Sequence, residues 1–381
     1  MQLRISLIAA TLLAGSSMLA EDYVSVQFMG YDEESGRTTI YSPSIEINKD
    51  FGADYTLNIS ATHDSVSGAS PTFYDAFSGA STKIPEGSIF REDITYGDID
   101  YEDERKAVSV ALTKRFASRD ELTVGANYSD EYDYISREIS AEYLHYLDSS
   151  KNQSLSLGAS YQDNDVSIYC DLGTSACDAS SGASEKIESL SVLSTELGFT
   201  QIIDSTSLVK TSLFYINETG YLSNPYMRVV RDYDTIPKIT EETKPANRTA
   251  YGATLEYTRA INQKLTSLSS YRYYSDDWDI VSHTLEEEIH YEWTPRVTTG
   301  LMLRYYTQTA AEFYSGRKDY FTDQKYASSD RRMSDFDAIN VTLSGDYRLN
   351  KKISLNASVS YYEQFDILDA RYYGIGMKYR F

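Results

Sequence analysis

The sequence predicts an all-β fold: a transmembrane antiparallel β-barrel of about sixteen strands, with short turns at one end and long loops at the other. Three observations predict it. Segments of about ten residues alternate polar with apolar side chains, the pattern of a barrel wall. The connections between them are short and long in turn. The chain ends with Tyr373, Ile375, Met377, Tyr379 and Phe381 at every second position, and Tyr372, Gly374, Gly376, Lys378 and Arg380 between them. A strand sends alternate side chains to opposite faces, so one face stays apolar to the last residue. A soluble sandwich or propeller would explain the alternation but not the one-sided loops or the aromatic end.

The N-terminus comes first. Met1–Arg4 is a short basic region, Ile5–Gly15 is apolar and Ser16–Ala20 is rich in small residues. That reads as a secretory signal peptide over 1–20, too short to span a membrane as a helix. Met18 departs from the usual small-x-small cleavage pattern. Residues 21–381 are then expected to form one barrel domain in the outer membrane of a Gram-negative bacterium. No later apolar run suits a transmembrane helix, and mean hydropathy is -0.44. Lumen-facing polar residues lower the average in a barrel, so this value does not exclude one. The 35 Tyr and 13 Phe favour strands and interfacial belts.

Strands are expected near 23–32, 37–47, 54–63, 105–116, 121–132, 134–147, 153–164, 187–202, 207–219, 248–261, 264–276, 280–293, 297–309, 334–349, 352–364 and 370–381. In 105–116, Val108, Val110 and Leu112 oppose Ala107, Ser109 and Ala111. In 353–362, Ile353, Leu355, Ala357 and Val359 oppose Ser354, Asn356, Ser358 and Ser360. The long connections, 64–104, 165–186, 220–247 and 310–333, all follow odd-numbered strands. This puts long loops outside and short turns, with both termini, in the periplasm.

Setting each apolar face toward lipid turns Glu138, Glu142, Glu196, Glu256, Glu286, Glu288 and Glu292 inward. The inward basic residues are Lys210, Arg272, Arg304, Arg348, Lys378 and Arg380. Charged linings set ion preference, so these predict passage of small solutes or ions. Opposite charges could equally knit the lumen shut, and inward Tyr306, Tyr362 and Tyr372 would narrow it.

The first long connection carries a motif written twice. Asp64, Ser67 and Gly68 belong to D-S-V-S-G-A-S, and Asp75, Ser78 and Gly79 to D-A-F-S-G-A-S. Small residues suit close packing in a crowded lumen, so the box could form a constriction; Ser, Gly and Asp also make ordinary surface turns. With K-R-F-A-S-R-D-E-L at 114–122 and E-Y-L-H-Y-L-D at 142–148, the box resembles the bacterial outer-membrane barrels grouped as domain of unknown function 3570. The terminal aromatic alternation similarly resembles the signature read by the barrel assembly machinery. The family resemblance implies an outer-membrane site among lipid and lipopolysaccharide and an unassigned activity. It also implies a periplasmic redox-related partner, because members are encoded near flavin-attachment and thioredoxin-like proteins. No haem, C-x-x-C or dinucleotide motif accompanies it here.

A net charge of -22 makes nucleic acid a poor partner. It suits solvated loops, or an acidic surface that holds divalent cations. The acidic run 91–105 reads as a solvated loop; its spacing matches no EF-hand. No cofactor is expected beyond such cations. In an exported protein Cys170 and Cys177 are expected to form one disulfide. His63, Asp64 and Ser65 invite a hydrolase reading, yet neighbours on a strand face opposite ways. The chain is therefore read as a non-enzyme. The rival to a pore is a surface scaffold or adhesin acting through its acidic loops.

Overall fold

The computed structural model describes residues 22–34, 38–75, 94–169, 185–232, 238–315, 324–365 and 367–381. The signal region 1–20, Cys170, Cys177, Ser78 and Gly79 lie outside them. The wall strands are β1 (Tyr23–Glu33), β2 (Thr38–Phe51), β3 (Tyr55–Asp75), β4 (Ile94–Arg115), β5 (Glu121–Asp130), β6 (Tyr134–Tyr146), β7 (Gln153–Tyr169), β8 (Glu185–Asp204) and β9 (Ser207–Gly220). After a small hairpin of β10 (Arg228–Arg231) and β11 (Lys238–Glu241) come β12 (Asn247–Ala260), β13 (Leu265–Asp276), β14 (Val281–Thr294), β15 (Val297–Gln308), β16 (Phe336–Arg348), β17 (Ile353–Gln364) and β18 (Leu368–Arg380). Every wall strand pairs antiparallel with its sequence neighbour, β9 with β12, and β1 with β18. Sixteen strands thus close the ring, leaving no edge unpaired.

Register keeps each face continuous around the ring. Phe28 pairs with Ile375 and Val26 with Met377, and these four project outward with Tyr373, Tyr379 and Phe381. Ile139, Leu157, Leu213, Leu285 and Leu343 extend the same outer belt. Lipid, not a protein core, is the partner that this belt requires. Tyr291 and Trp293 mark its lower rim, where amphipathic rings favour the membrane–water boundary. The belt is interrupted at Glu287, whose carboxylate accepts hydrogen bonds from Ser267 and Ser269, 2.5 Å each. Those hydroxyls supply partners that hydrocarbon cannot.

The periplasmic turns are short because side chains substitute for backbone partners. Asn262 Oδ1 accepts from the N–H groups of Lys264 (2.8 Å) and Leu265 (3.1 Å). Asn350 does the same for Lys352 (2.8 Å) and Ile353 (3.0 Å). In the β4–β5 turn, burial would raise the Asp120 carboxyl. Hydrogen bonds from Tyr146 N–H, Ser118, Tyr143 and His145 overcome this and hold it down to about 2.

One expectation is corrected. Residues 64–104 are not a single long loop, because β3 continues to Asp75 and β4 begins at Ile94. The first copy of the box therefore lies inside a strand. Asp64 faces inward, Ser67 is exposed on the outer face, Gly68 pairs with Tyr101, and Asp75 ends the strand. Beyond the membrane both strand faces can be polar, so the hydrophobic alternation fades while the backbone ladder persists.

Candidate functional site

The strand phase places Glu138, Glu142, Glu196, Glu256, Glu286, Glu288, Arg272, Arg304, Lys378 and Arg380 on the inner face, between the exposed apolar residues. Several are drawn together across strands. Arg304 reaches Glu286 at 3.0 Å, Lys210 lies 3.8 Å from Glu256, and His290 is 2.9 Å from Glu288. Glu138 accepts from Asn127 (3.1 Å) and Gln162 (2.6 Å). Arg272 stacks over Phe214 with 4.6 Å to the ring centre, and Lys378 over Tyr23 with 4.1 Å. Arg380 donates to Ser354 Oγ at 2.7 Å. Glu292 sits at a bulge near the periplasmic end of β14, and Arg348 ends β16. These rim residues are apart from the Glu286–Arg304 pair.

Above this wall, two connections fold into the extracellular mouth. The β9–β12 connection carries the β10–β11 hairpin, in which Val229, Val230 and Ile239 are buried. From its root at β9, the hairpin reaches β3, six places round the ring. The β15–β16 connection meets it there. Thr243 and Ala327 exchange backbone hydrogen bonds of 2.9 and 2.8 Å. Ser329 Oγ donates to Arg228 O (2.7 Å), and Arg231 donates to Gln324 O (2.6 Å). We call these two joined connections the cap.

Its centre is an ion cluster. Lys244 lies 2.9 Å from Glu242 and 3.3 Å from Asp330, with all three side chains almost wholly buried. Glu242 also accepts from Ser328 Oγ and from Asn224 N–H, 2.5 Å each. Arg332 closes on Asp330 at 2.6 Å. Burial alone would raise the Asp330 carboxyl. The Arg332 and Lys244 charges overcome it and hold Asp330 well below the usual carboxylate range. Such pairs stabilise only when every partner is present, because an orphaned buried charge is costly.

Apolar packing seats the cap on the wall. Trp278, from the β13–β14 turn, meets Phe313 edge-on with ring centres 5.0 Å apart. Val166 of β7, Leu190 of β8, Leu222, Ile280 and Ala311 complete the cluster. On the far side, Arg331 donates to Ile367 O (3.3 Å) in the β17–β18 turn. Sequence reasoning passed over these cap residues. The only hint was opposite charge in two separate loops, Glu241-Glu242-Thr243-Lys244 and Asp330-Arg331-Arg332.

The hydrolase trio is split. Asp64 pairs inward with Arg105, while His63 and Ser65 take the opposite strand phase. Ser118 and His145 both bond Asp120 (2.9 and 3.1 Å). In that arrangement the Asp stands between Ser and His, which is not the order a Ser-His-Asp relay needs.

Comparisons with known proteins agree with this architecture. Among solved structures, CdiB from Acinetobacter baumannii matches with 9% identity and a TM-score of 0.52, over 95% of this chain and 60% of that one. This chain therefore spans only about 60% of CdiB's length. A bacterial polysaccharide outer membrane secretin matches at 7% identity and a TM-score of 0.51, over 96% of this chain and 99% of that one. At such identities the likeness is one of fold. No curated protein matches the sequence. The chain belongs to the family described as Protein of unknown function (DUF3570), which matches residues 6–374.

Proposed function

We propose that this member of the DUF3570 family is a gated outer-membrane channel for small solutes or ions, with the cap as its gate. The supporting observation is the ion cluster of Glu242, Lys244 and Asp330, which joins the cap's two halves across the mouth. A permanent plug would gain more from apolar packing, since buried ion pairs often contribute no more than hydrophobic residues of the same volume. An ion-paired closure can be undone by a charge or a partner. Below it, inward Glu142, Glu196, Glu256, Glu286 and Glu288 would favour cations or cationic solutes. Planar-bilayer recording tests this reading. Opening steps are expected whose cation preference falls when Glu286→Gln and Glu288→Gln are combined. A barrel that stays silent with the cap removed would refute the channel.

A second reading has its own observation. β3 and β4 continue as a paired hairpin to Asp75 and Ile94, with Glu102 and Glu104 exposed on its outer side. Such a projection suits a surface scaffold or adhesin. Adhesion that survives cap removal but is lost when residues 68–101 are cut away would favour this reading. A periplasmic redox-related partner, which the family resemblance suggested, would meet the short-turn end that carries Asp120, Asp148 and Asp204. Cross-linking from that end, followed by identification of the captured protein, tests this.

A further inference from the structure

We propose that Asp103, Glu131 and Asp133 form a binding site for one hard divalent cation of the calcium type at the extracellular mouth. Asp103 comes from the inner face of β4, and the other two come from the turn between β5 and β6. One carboxylate oxygen from each lies within 4.8 Å of the others. Oxygens bound to a shared calcium at about 2.3–2.6 Å stand at most about 4.6–5.2 Å apart, so the three fit one ion.

A second observation points to a missing ligand. Asp133 is only 5% exposed, yet its Oδ1 has no hydrogen-bond partner. A buried acceptor left unmade is costly, and a cation would complete it. Arg105, which lies near Glu131, is committed to Asp64, its partner in the β3–β4 register. The frame is otherwise fixed. Asp103 Oδ1 accepts from the N–H groups of Glu104 (2.8 Å) and Tyr132 (3.3 Å). Glu131 N–H donates to Tyr134 O (2.9 Å), and Ser167 N–H to Asp133 O (2.8 Å).

The donor set selects the ion. Oxygen ligands without His or Cys favour calcium or magnesium over zinc. Carboxylates supplied by two separate chain segments suit calcium's irregular shell better than magnesium's strict octahedron. The site also touches the cap, since the Tyr226 hydroxyl bonds Asp133. A bound ion would thus tie β4, the β5–β6 turn and the cap's first segment together. The site would exist whether or not the barrel conducts.

The test uses the full mature chain refolded into detergent without lipopolysaccharide. Calcium chloride is titrated calorimetrically, and terbium luminescence is read through Tyr132 and Tyr226. One saturable site is expected, with Kd on the order of 10⁻⁴ to 10⁻³ M, as in extracellular calcium modules. Glu131→Gln with Asp133→Asn should weaken it at least tenfold, while Glu102→Gln with Asp163→Asn should not. Without calcium, the first pair should melt no lower than wild type, because it removes repulsion while the amide oxygen of Asp133→Asn can still accept from Tyr226. Absence of saturation by about 10 mM, ten times the weak end of that range, would overturn the site. So would unchanged affinity in the first pair. If that pair fails to refold, Asp103→Asn is judged by the same criterion.

Discussion

Two long connections leave the extracellular end of this barrel and do opposite things. On the β3–β4 side, the first copy of the duplicated box lies within a strand, and β3 and β4 continue their backbone ladder to Asp75 and Ile94. The β9–β12 connection, with no repeat and no small-residue motif, turns inward and reaches across to β3. Small residues allow close packing but supply nothing to hold a segment in a polar lumen. Buried charges with partners on a second loop do supply it. The occupant of a pore is therefore better sought among unpaired charges in long loops than among glycines and serines.

The largest effect should come from exchanging these roles. Replacing 222–245 and 310–334 with short Gly-Ser links should turn a largely silent barrel into one with steady, large conductance steps. Deleting 76–93 should leave the recordings unchanged. If the second deletion opens the pore and the first does not, the comparison is reversed.

Next in size is Lys244→Met. It leaves Glu242 without its cation in the cap's centre, while Asp330 keeps Arg332, a loss on the order of 3 kcal/mol for a broken buried pair. Open probability should rise steeply, and protease should cut the cap while sparing the wall. Phe313→Ala removes the ring that Trp278 packs against. It should cost roughly 3 kcal/mol and raise open probability less.

Acid should act late. The folded Asp330 pKa lies below its unfolded value. Its contribution is therefore complete above the unfolded pKa of about 3.9 and is lost as pH falls through the folded value. Gating through this residue should stay flat from neutral pH to about 4 and open only below that; opening already near pH 6 would mean another group controls the cap. The smallest effect belongs to the hairpin. Glu102→Gln with Glu104→Gln should leave conductance unchanged and shift stability by no more than about 0.5 kcal/mol, as exposed substitutions usually do.

The wall was legible because lipid enforces a period of two. Val108, Val110 and Leu112 could face only one way, and on β14 the outward Leu285 and Ile289 likewise turned Glu286 and Glu288 inward. Beyond the membrane this constraint ends. Residues 94–104 are rich in carboxylates, so their strand read as a loop. The cap was illegible for a different reason: Glu242 and Ser328 make sense only together, and 86 residues separate them. Asp103 was noted as part of an acidic run, but its neighbours Glu131 and Asp133 belong to another turn, which pairing brings near.

The 86-residue span between Glu242 and Ser328 also orders events in time. The hairpin's half of the cap exists once β12 is made, but its lock is encoded after β15. Contacts this distant in sequence form slowly, after local pairing has brought their ends together. Cap closure is therefore expected to follow the pairing of β9 with β12 and of β15 with β16, which brings the two halves of the lock together.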